Sequence, residues 1–143
     1  MQFRMNAASA EQIFELFSGI RFPELRGQTP MDMAYADKLH RLATRIEAWD
    51  GDLLAGIVCV YTNDPDRESA YAPLFCARPG YGAQGAALAR RTIAYCRDAG
   101  FRSLRTGDID EENRRVVALY RRLGLQVIAR EGRRLTLEIV FRP

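Results

Sequence analysis

The chain has few of the residues that disulfides, zinc sites and histidine-based catalysis require. It contains three cysteines, Cys59, Cys76 and Cys96, and one histidine, His40. The cysteine count is odd and no two cysteines have a CxxC spacing, which argues against a disulfide framework or a structural zinc site. We expect reduced thiols, buried as small hydrophobic groups, and no bound metal. His40 lies on a predicted helix, where a surface or core position explains it better than catalysis.

Long apolar runs and a secretory leader are also missing. No apolar run reaches the roughly 18–20 residues that a membrane-spanning helix needs. The first six residues lack the apolar core and the small-residue cleavage site of a signal peptide. With 48% hydrophobic and 27% charged residues, the 143-residue chain has a globular composition and the length of one domain. We expect one cytoplasmic domain over residues 1–143, with no membrane partner.

Lysine is nearly absent from the basic residues. Lys38 is the only lysine among 21 basic residues, so arginine provides almost all the positive charge behind the net charge of +3. Either the arginines only solvate helix surfaces, or some bind the phosphates of an anionic ligand, which a guanidinium contacts in bidentate fashion. There is no long basic stripe and no aromatic-basic module of the RNA-binding type. Nucleic acid is therefore not an expected partner.

The order of local signals predicts an α/β protein with an antiparallel beginning and a mixed later part. Asp50-Gly51 is a strong hairpin signal, and Ser9 with Gln12 has the spacing of a helix start. A loop is expected over residues 21–30, which contain two prolines and a glycine. The predicted strands are 2–6, 45–50, 53–62, 69–78, 102–109, 125–129 and 134–141, and the predicted helices are 9–18, 31–43, 85–99 and 113–123.

Hydrophobic spacing predicts which helix residues face the core. On the second helix we expect the inward side to carry Met33, Ala36, Leu39 and Leu42. The two later helices and the sheet should bury Leu88, Ile93, Val117 and Leu123.

A glycine-rich segment, Gly80-Tyr81-Gly82-Ala83-Gln84-Gly85, is predicted to be a loop between a strand and a helix. Such a loop binds phosphate, because glycine allows close backbone approach and the helix start presents free N–H groups. A tight turn without a ligand is the simpler alternative. The segment also spells GxGxxG, with Asp108 where a ribose-binding acid would stand in a dinucleotide-binding protein. Three antiparallel-looking strands precede the segment and only 58 of the 143 residues follow Gly85, which disfavours that alternative.

The stretch from Asn113 to Leu125 has the most specific spacing in the chain. It reads N-R-R-V-V-A-L-Y-R-R-L-G-L and resembles the N-x-x-A-x-x-L-Y-x-x-x-G-F helix of the GNAT N-acetyltransferase superfamily. Val116 stands at the alanine position and Leu125 at the phenylalanine position. The resemblance extends from about Ala48 to the C-terminus, and residues 70–79 correspond to the family's fourth strand. It implies a GNAT-like sheet, splayed between strands 4 and 5, and acetyl-CoA as co-substrate.

The phosphate segment departs from the family pattern Q/R-x-x-G-x-G/A. In one alignment Gly85 is the final glycine, Ala83 the fourth position and Gly80 the first. In the other the pattern ends at Ala87 and Gly85 is the central glycine. Both alignments lack the usual glutamine or arginine, and the segment is about two residues shorter than is common in the family. An inactive GNAT-like domain with a binding or regulatory role therefore stays open as an alternative.

The resemblance also implies roles for particular residues. The main chain of Phe75, Cys76 and Ala77 would pair with the pantetheine arm, and an N–H there would polarise the thioester carbonyl. The pyrophosphate would be held by Gly82, Ala83, Gln84, Gly85 and Ala86. Tyr120 matches the usual general acid that protonates the CoA sulfur, the alternative being a core tyrosine. Asn113 would be a helix N-cap or, as in relatives, also contact the pantetheine arm.

The general base and the acceptor are less evident. Asp108 is the first candidate for the base, and Glu68, Asp64 and a water chain compete with it. Residues near the first two helices that could contact the acceptor are Arg21, Glu24, Arg26, Gln28, Asp32, Tyr35 and Asp37. They suit a small polar primary amine as substrate. Residues 35–39 and 60–64 are similar to relatives in sugar-modification pathways, which indicates an amino sugar, free or nucleotide-linked.

Other acceptors and the oligomeric state remain open at this point. Amino acids or polyamines come next as acceptors, followed by protein N-termini or lysines. The arginine excess favours an anionic acceptor such as a nucleotide sugar. A homodimer is one expectation for the oligomeric state.

Overall fold

A computed structural model describes residues 1–18 and 32–141 of the chain. The predicted loop over residues 21–30 lies outside this range. The described strands are β1 Gln2–Met5, β2 Thr44–Asp50, β3 Leu53–Tyr61, β4 Ser69–Ala77, β5 Ser103–Thr106, β6 Ile109–Asp110, β7 Gln126–Glu131 and β8 Arg134–Val140. The described helices are α1 Ala10–Ser18, α2 Met33–Leu42, α3 Gly82–Asp98 and α4 Arg114–Arg122. None of these helices is long and apolar enough to span a bilayer.

The eight strands form one mixed sheet, as the sequence predicted. Strands β1 to β4 pair in sequence order and antiparallel. Within the described ranges, β4 and β5 form the single parallel pair, and β8 pairs antiparallel with β5, β6 and β7. The dinucleotide alternative required an all-parallel sheet, so that alternative is wrong.

Two local predictions are confirmed in detail. The pairing of Asp50 with Leu53 leaves Gly51 and Asp52 as a two-residue hairpin turn, with Gly51 at φ +58°. At the start of α1, the Gln12 N–H donates to Ser9 Oγ (3.1 Å), and the Ser9 N–H donates to Gln12 Oε1 (2.9 Å). This reciprocal pair satisfies two backbone donors at the helix start.

The sheet has a hydrophobic core on each face. Packed with α3 and α4 are Ile46, Ala48, Val58, Val60, Ala70, Ala72, Phe75, Leu88, Ala89, Cys96, Phe101, Leu104, Ile109, Tyr120, Leu125, Leu135 and Leu137. Packed with α1 and α2 are Ala8, Ile13, Leu16, Phe17, Ala36, Leu39, Ala43, Trp49, Leu54, Ile57, Cys59, Leu74 and Cys76. Because the side chains of a strand alternate between faces, one strand contributes to both cores.

The predicted core positions are only partly correct. Leu88 is fully buried, whereas Ile93, Val117 and Leu123 are partly buried and pack against the α3/α4 core. On α2, Ala36 and Leu39 are buried, but Met33 and Leu42 are 40% and 49% exposed. The short helix packs mainly against α1, so positions at the edge of its apolar side stay in solvent.

The predicted strand over residues 102–109 is interrupted at Gly107 and Asp108. The Gly107 N–H donates to Ala72 O (2.8 Å), and a Cβ on Gly107 would lie 3.1 Å from Pro73 Cα. The backbone therefore passes close to β4 at this point, which only glycine permits. Beyond it the chain continues as β6, which pairs with β8.

A buried carboxylate that sequence reasoning missed holds the start of α1 on the sheet. Glu47 on β2 is fully buried and accepts hydrogen bonds from the N–H groups of Ala7 (3.1 Å) and Ala8 (2.9 Å) and from Trp49 Nε1 (3.0 Å). The Arg45 guanidinium lies 3.6 Å from Glu47 and donates to the carbonyls of His40 and Ala43 at the end of α2. A buried acid needs this many partners to offset the loss of hydration.

Gly56 on β3 allows α3 to pack closely on the sheet, and its substitution tests this packing. A Cβ at Gly56 would lie 3.0 Å from Leu88 Cδ1 and 3.1 Å from the Cys76 carbonyl oxygen. We predict that Gly56→Ala lowers the free energy of unfolding, because overpacking costs about 1–3 kcal/mol. The entropy gain of Gly→Ala in the unfolded chain offsets only about 0.4–1 kcal/mol.

Urea denaturation would measure this change, with Gly82→Ala as the matched control. No atom lies within 4 Å of a Cβ built on Gly82, so this control should be neutral or slightly stabilising. Equal stability of Gly56→Ala and the unaltered protein would show that the contact of α3 with β3 is not tight.

Candidate active site

Strands β4 and β5 diverge in the middle of the sheet. They pair from Ser69 with Ser103 to Ala72 with Thr106, and the later half of β4, residues 73–77, continues on β3 alone. Pro73 has no N–H to donate, and the shift in register between Cys59 and Tyr61 is a β-bulge that bends β4 at the same level. Among the described residues, the β5-side edge of β4 from Pro73 onward has no strand partner.

Helix α3 begins at Gly82, three residues earlier than predicted. The Gly85 N–H donates to Tyr81 O (3.0 Å), and Tyr81 stands at the N-cap without a side-chain capping bond. The glycine segment is therefore mostly the first turn of the helix. The N–H groups of Gly82, Ala83 and Gln84 have no acceptor within the helix, as at every helix start. They lie at the positive end of the helix dipole, directly after the open edge of β4.

The two glycines of this first turn have different roles. A Cβ on Gly85 would lie 3.2 Å from Ala77 Cβ and 3.5 Å from Phe75 Cζ. Gly85 therefore lets the helix start lie directly against the end of β4. Gly82 has no atoms near its missing side chain and leaves the helix start open.

Tyr120 on α4 lies in the same cluster. It is buried, and its ring centre is 5.6 Å from that of Phe75, with the planes tilted by 36°. Asn113 stands at the N-cap of α4, where its carbonyl accepts from the Val117 N–H (3.1 Å), but its side chain makes no capping bond. The fold thus brings Phe75, Tyr120 and the start of α3 together, although they are far apart in sequence.

Cys59, Cys76 and Cys96 are buried thiols. The Cys76 side chain lies in the α1/α2 core, on the opposite face of β4 from Phe75. Burial raises the pKa of Cys59 well above its usual range and that of Cys96 to about 12. Cys59 and Cys96 therefore stay protonated at neutral pH and are poor nucleophiles.

Asp108 lies beside the divergence of β4 and β5. It follows Gly107, which contacts Pro73. The half-buried carboxylate of Asp108 accepts a 3.5 Å hydrogen bond from Thr136 Oγ1 and lies 3.9 Å from Arg134 Nη1. Asp108 is therefore a partly exposed carboxylate next to the opening between β4 and β5.

The alternative bases are placed less favourably. The N–H groups of Asp66 and Glu68 donate to the Asp64 carboxylate (3.0 Å each) and hold its pKa below the usual range. Asp64 therefore organises its own turn and is a weak base. Glu68 is exposed and lies 3.8 Å from Arg102, and His40 is exposed on α2.

An aromatic pair that sequence reasoning missed lies on the α1/α2 face near the same opening. Tyr61 and Tyr71 are cross-strand neighbours whose rings stack at 6.4 Å with an angle of 9° between their planes. The Tyr71 hydroxyl lies 3.3 Å from the position that a Cβ on Gly107 would occupy. The sequence signal that could have revealed this pair was a tyrosine near the end of one predicted strand and a tyrosine near the start of the next.

On the neighbouring strand β5, Arg105 donates to Glu138 on β8 (2.6 Å).

The acceptor residues predicted near the first helices separate into three groups. Arg21, Glu24, Arg26 and Gln28 lie outside the described residues. Asp32 caps α2 by accepting from the Tyr35 N–H (2.8 Å), and Asp37 pairs with Arg41 (2.8 Å). Tyr35 is half-buried and packs against the α1/α2 core, as Tyr61 does.

The arginine excess is located mainly away from this face. In the described ranges, Arg114, Arg115, Arg121 and Arg122 on α4 are exposed and have no ion-pair partner. Arg105 and Arg134, near the opening, face Glu138 and Asp108. Exposed and without ion pairs, the α4 arginines suit a solvated helix surface and contacts to an anionic ligand equally, so both interpretations of the arginine excess stand.

Comparison with known proteins assigns the chain to a family. The profile of the acetyltransferase (GNAT) family matches residues 10–125, so the chain belongs to the GNAT acetyltransferase family. This confirms the resemblance based on the Asn113-to-Leu125 spacing. No curated protein sequence matches the chain significantly.

Solved structures share the fold at low sequence identity. An N-acetyltransferase from Staphylococcus aureus Mu50 is 12% identical with a TM-score of 0.76, covering 98% of both chains. The ribosomal-protein-S18-alanine N-acetyltransferase from Escherichia coli is 13% identical with a TM-score of 0.72, covering 96% of this chain and 91% of that one. The yncA protein of Salmonella typhimurium, solved with its cofactor acetyl-CoA, is 16% identical with a TM-score of 0.70, covering 100% and 96%. At this identity the likeness establishes the fold.

Proposed function

We propose that the protein transfers an acetyl group from acetyl-CoA to the primary amine of a small polar acceptor. One observation carries the proposal: the open edge of β4 leads directly into the uncapped start of α3, with Tyr120 packed beside both through Phe75. Membership of the GNAT family and the acetyl-CoA bound to the yncA protein support the same cofactor.

The residues present fit a CoA molecule. The pantetheine arm contains amide groups, and the unpaired edge of β4 at Phe75, Cys76 and Ala77 offers backbone donors and acceptors to them. The pyrophosphate would be bound by N–H groups at the start of α3, over residues 82–86, where a helix favours anions. Asn113, whose side chain does not cap α4, would add a polar contact to the arm. Acetyl-CoA, when bound, supplies the activated acetyl group as a thioester.

Tyr120 is proposed as the general acid. A phenol with an ordinary pKa near ~10 is protonated at neutral pH and can donate its proton to a departing thiolate. Contact with Phe75 holds the ring next to the end of the open β4 edge. Asp108 is proposed to accept the proton of the attacking amine, directly or through a water molecule, because it is the acid next to the divergence of β4 and β5.

The acceptor would reach the thioester from the α1/α2 face. The stacked pair Tyr61 and Tyr71 and the half-buried Tyr35 offer flat apolar surface there, and Asp108 and Thr136 offer hydrogen-bonding groups. A sugar ring presents apolar C–H faces and hydroxyl groups together, so an amino sugar fits this combination. Since Arg105 and Arg134 face carboxylates, the described residues give no preference for a nucleotide-linked form.

The cofactor is the most direct test of the proposed function. Acetyl-CoA should raise the melting temperature of the protein in a thermal-shift assay, because a ligand that binds only the folded state stabilises it by mass action. NAD and NADP should leave the melting temperature unchanged. Failure of acetyl-CoA to shift the melting temperature would favour the inactive binding or regulatory alternative.

Removal of one hydroxyl tests the general acid. Tyr120→Phe retains the ring contact with Phe75 and should fold normally, while kcat falls by roughly 10²–10⁴-fold, as for loss of a general acid. The affinity for acetyl-CoA should hardly change. Tyr95→Phe, on the later part of α3, is the matched control and should keep full turnover. Unchanged kcat in Tyr120→Phe would remove Tyr120 from the mechanism.

A panel of amines identifies the acceptor class. Release of the CoA thiol would be followed with amino sugars, nucleotide-linked amino sugars, amino acids, polyamines and peptides. We expect the highest kcat/KM with amino sugars, and we expect Tyr71→Ala to raise the acceptor KM by removing part of the aromatic surface. Turnover of peptides or polyamines alone would contradict the acceptor assignment and leave acetyl transfer supported.

A further inference from the structure

The connection between β4 and α3 is bound to the β2–β3 hairpin by side chains. Tyr81 Oη donates to Asp50 Oδ2 at 2.6 Å, and Asp50 is the last residue of β2 before the hairpin turn. Three residues earlier in the chain, Arg78 Nε donates to Leu54 O (2.7 Å) and the Arg78 N–H donates to Ala55 O (2.8 Å). Both ends of the connecting segment 78–81 are therefore held by the hairpin.

Two other contacts act on this part of the chain: the Tyr81 N–H donates to Arg78 O (3.0 Å), and Gly85 lies against Ala77 at the end of β4. Gly80 has φ +88°, and no atom lies within 4 Å of a Cβ built on Gly80 or Gly82. Helix α3 has no side-chain cap. Gly80 in the connection and Gly82 at the start of α3 allow the backbone more conformations than other residues would, and no side-chain cap restricts the helix start. The Tyr81 side chain, which crosses to Asp50, is the side-chain hydrogen bond that joins the N-cap of α3 to the β2–β3 hairpin.

The chemistry of this contact suits a persistent hydrogen bond. A phenol that donates to a carboxylate forms a short, charge-assisted bond. The hydrogen bond to Asp50 raises the pKa of Tyr81 above its usual range. A raised phenol pKa means that the bond is fully present below the pKa of a free tyrosine and is lost only as the pH rises through the raised value. The contact is thus intact across the neutral range.

We propose that Tyr81 and Asp50 are positioning residues for the cofactor, and this inference rests on the proposed binding of acetyl-CoA. Their hydrogen bond holds the first turn of α3 in place, so that the N–H groups of Gly82, Ala83 and Gln84 converge before the pyrophosphate arrives. Neither side chain touches the reacting atoms. The bond preorganises the site, because the entropy cost of ordering the first turn of α3 then belongs to folding and not to cofactor binding.

Four variants test the inference by calorimetry with acetyl-CoA and by initial rates. Tyr81→Phe and Asp50→Ala each remove one half of the bond, and both changes are then combined in one chain. Asp52→Ala, two residues further in the same hairpin turn, is the matched control. We expect each single variant to raise the Kd for acetyl-CoA by roughly 3–10-fold, as for loss of one ordinary hydrogen bond. The control should bind like the unaltered protein.

Two further readouts separate positioning from general structure. The double variant should bind no more weakly than either single variant, because both changes remove the same interaction. The kcat and the acceptor KM should stay unchanged at saturating acetyl-CoA. Without cofactor, hydrogen exchange of the Gly85 N–H, which donates to Tyr81 O, should be faster in Tyr81→Phe than in the control.

The outcomes distinguish this inference from the proposed function. Unchanged Kd in Tyr81→Phe, or full additivity of the two single effects, would overturn the positioning role while acetyl-CoA binding itself stands. A fall in kcat at saturating acetyl-CoA would also contradict it, because residues that only position the pyrophosphate site act on binding. No binding of acetyl-CoA by the unaltered protein would overturn both the inference and the proposed function.

Discussion

The inability of β4 to pair along its whole length with β5 is the constraint on which the rest of the structure depends. Pro73 removes a donor from β4, and the close approach of Gly107 to Pro73 ends the parallel pairing. Peptide groups on a strand edge need partners, so an edge that opens in the middle of a sheet offers a place for an extended, amide-containing ligand. Continuous pairing at this point would leave an ordinary closed sheet without a site.

The two faces of the sheet contribute differently to that site. On one face, α3 approaches the strands closely, because Gly56 and Gly85 have no side chains to hold it away, and Tyr120 of α4 packs against Phe75. This brings backbone N–H groups and the Tyr120 ring to the open edge. On the other face, Glu47 binds the start of α1, and the aromatic pair Tyr61 and Tyr71 lies near the opening. A cofactor and an acceptor would thus approach β4 from opposite sides.

Much of the fold could be predicted, because its signals are local. The Asp50-Gly51 turn, the Ser9 and Gln12 capping pair, and the order of strands and helices depend on residues close in sequence. The errors arose where tertiary contacts override local preference. The glycine segment, predicted as a loop, forms the first turn of α3, where Gly85 packs on Ala77, and a predicted strand breaks at Gly107, where β4 lies against it. The buried role of Glu47 depends on three donors, two of them some 40 residues away.

The sequence by itself determined the family, through the spacing from Asn113 to Leu125, since helix periodicity and motif spacing are properties of a short segment. It also identified the segment from which α3 presents its free N–H groups. The tertiary structure decided which side chains meet. It placed Cys76 and Phe75 on opposite faces of β4, paired Arg105 with Glu138, and joined Tyr81 to Asp50 across 31 residues. Contacts between distant residues depend on how the sheet bends and where its strands part, and no local pattern encodes that geometry.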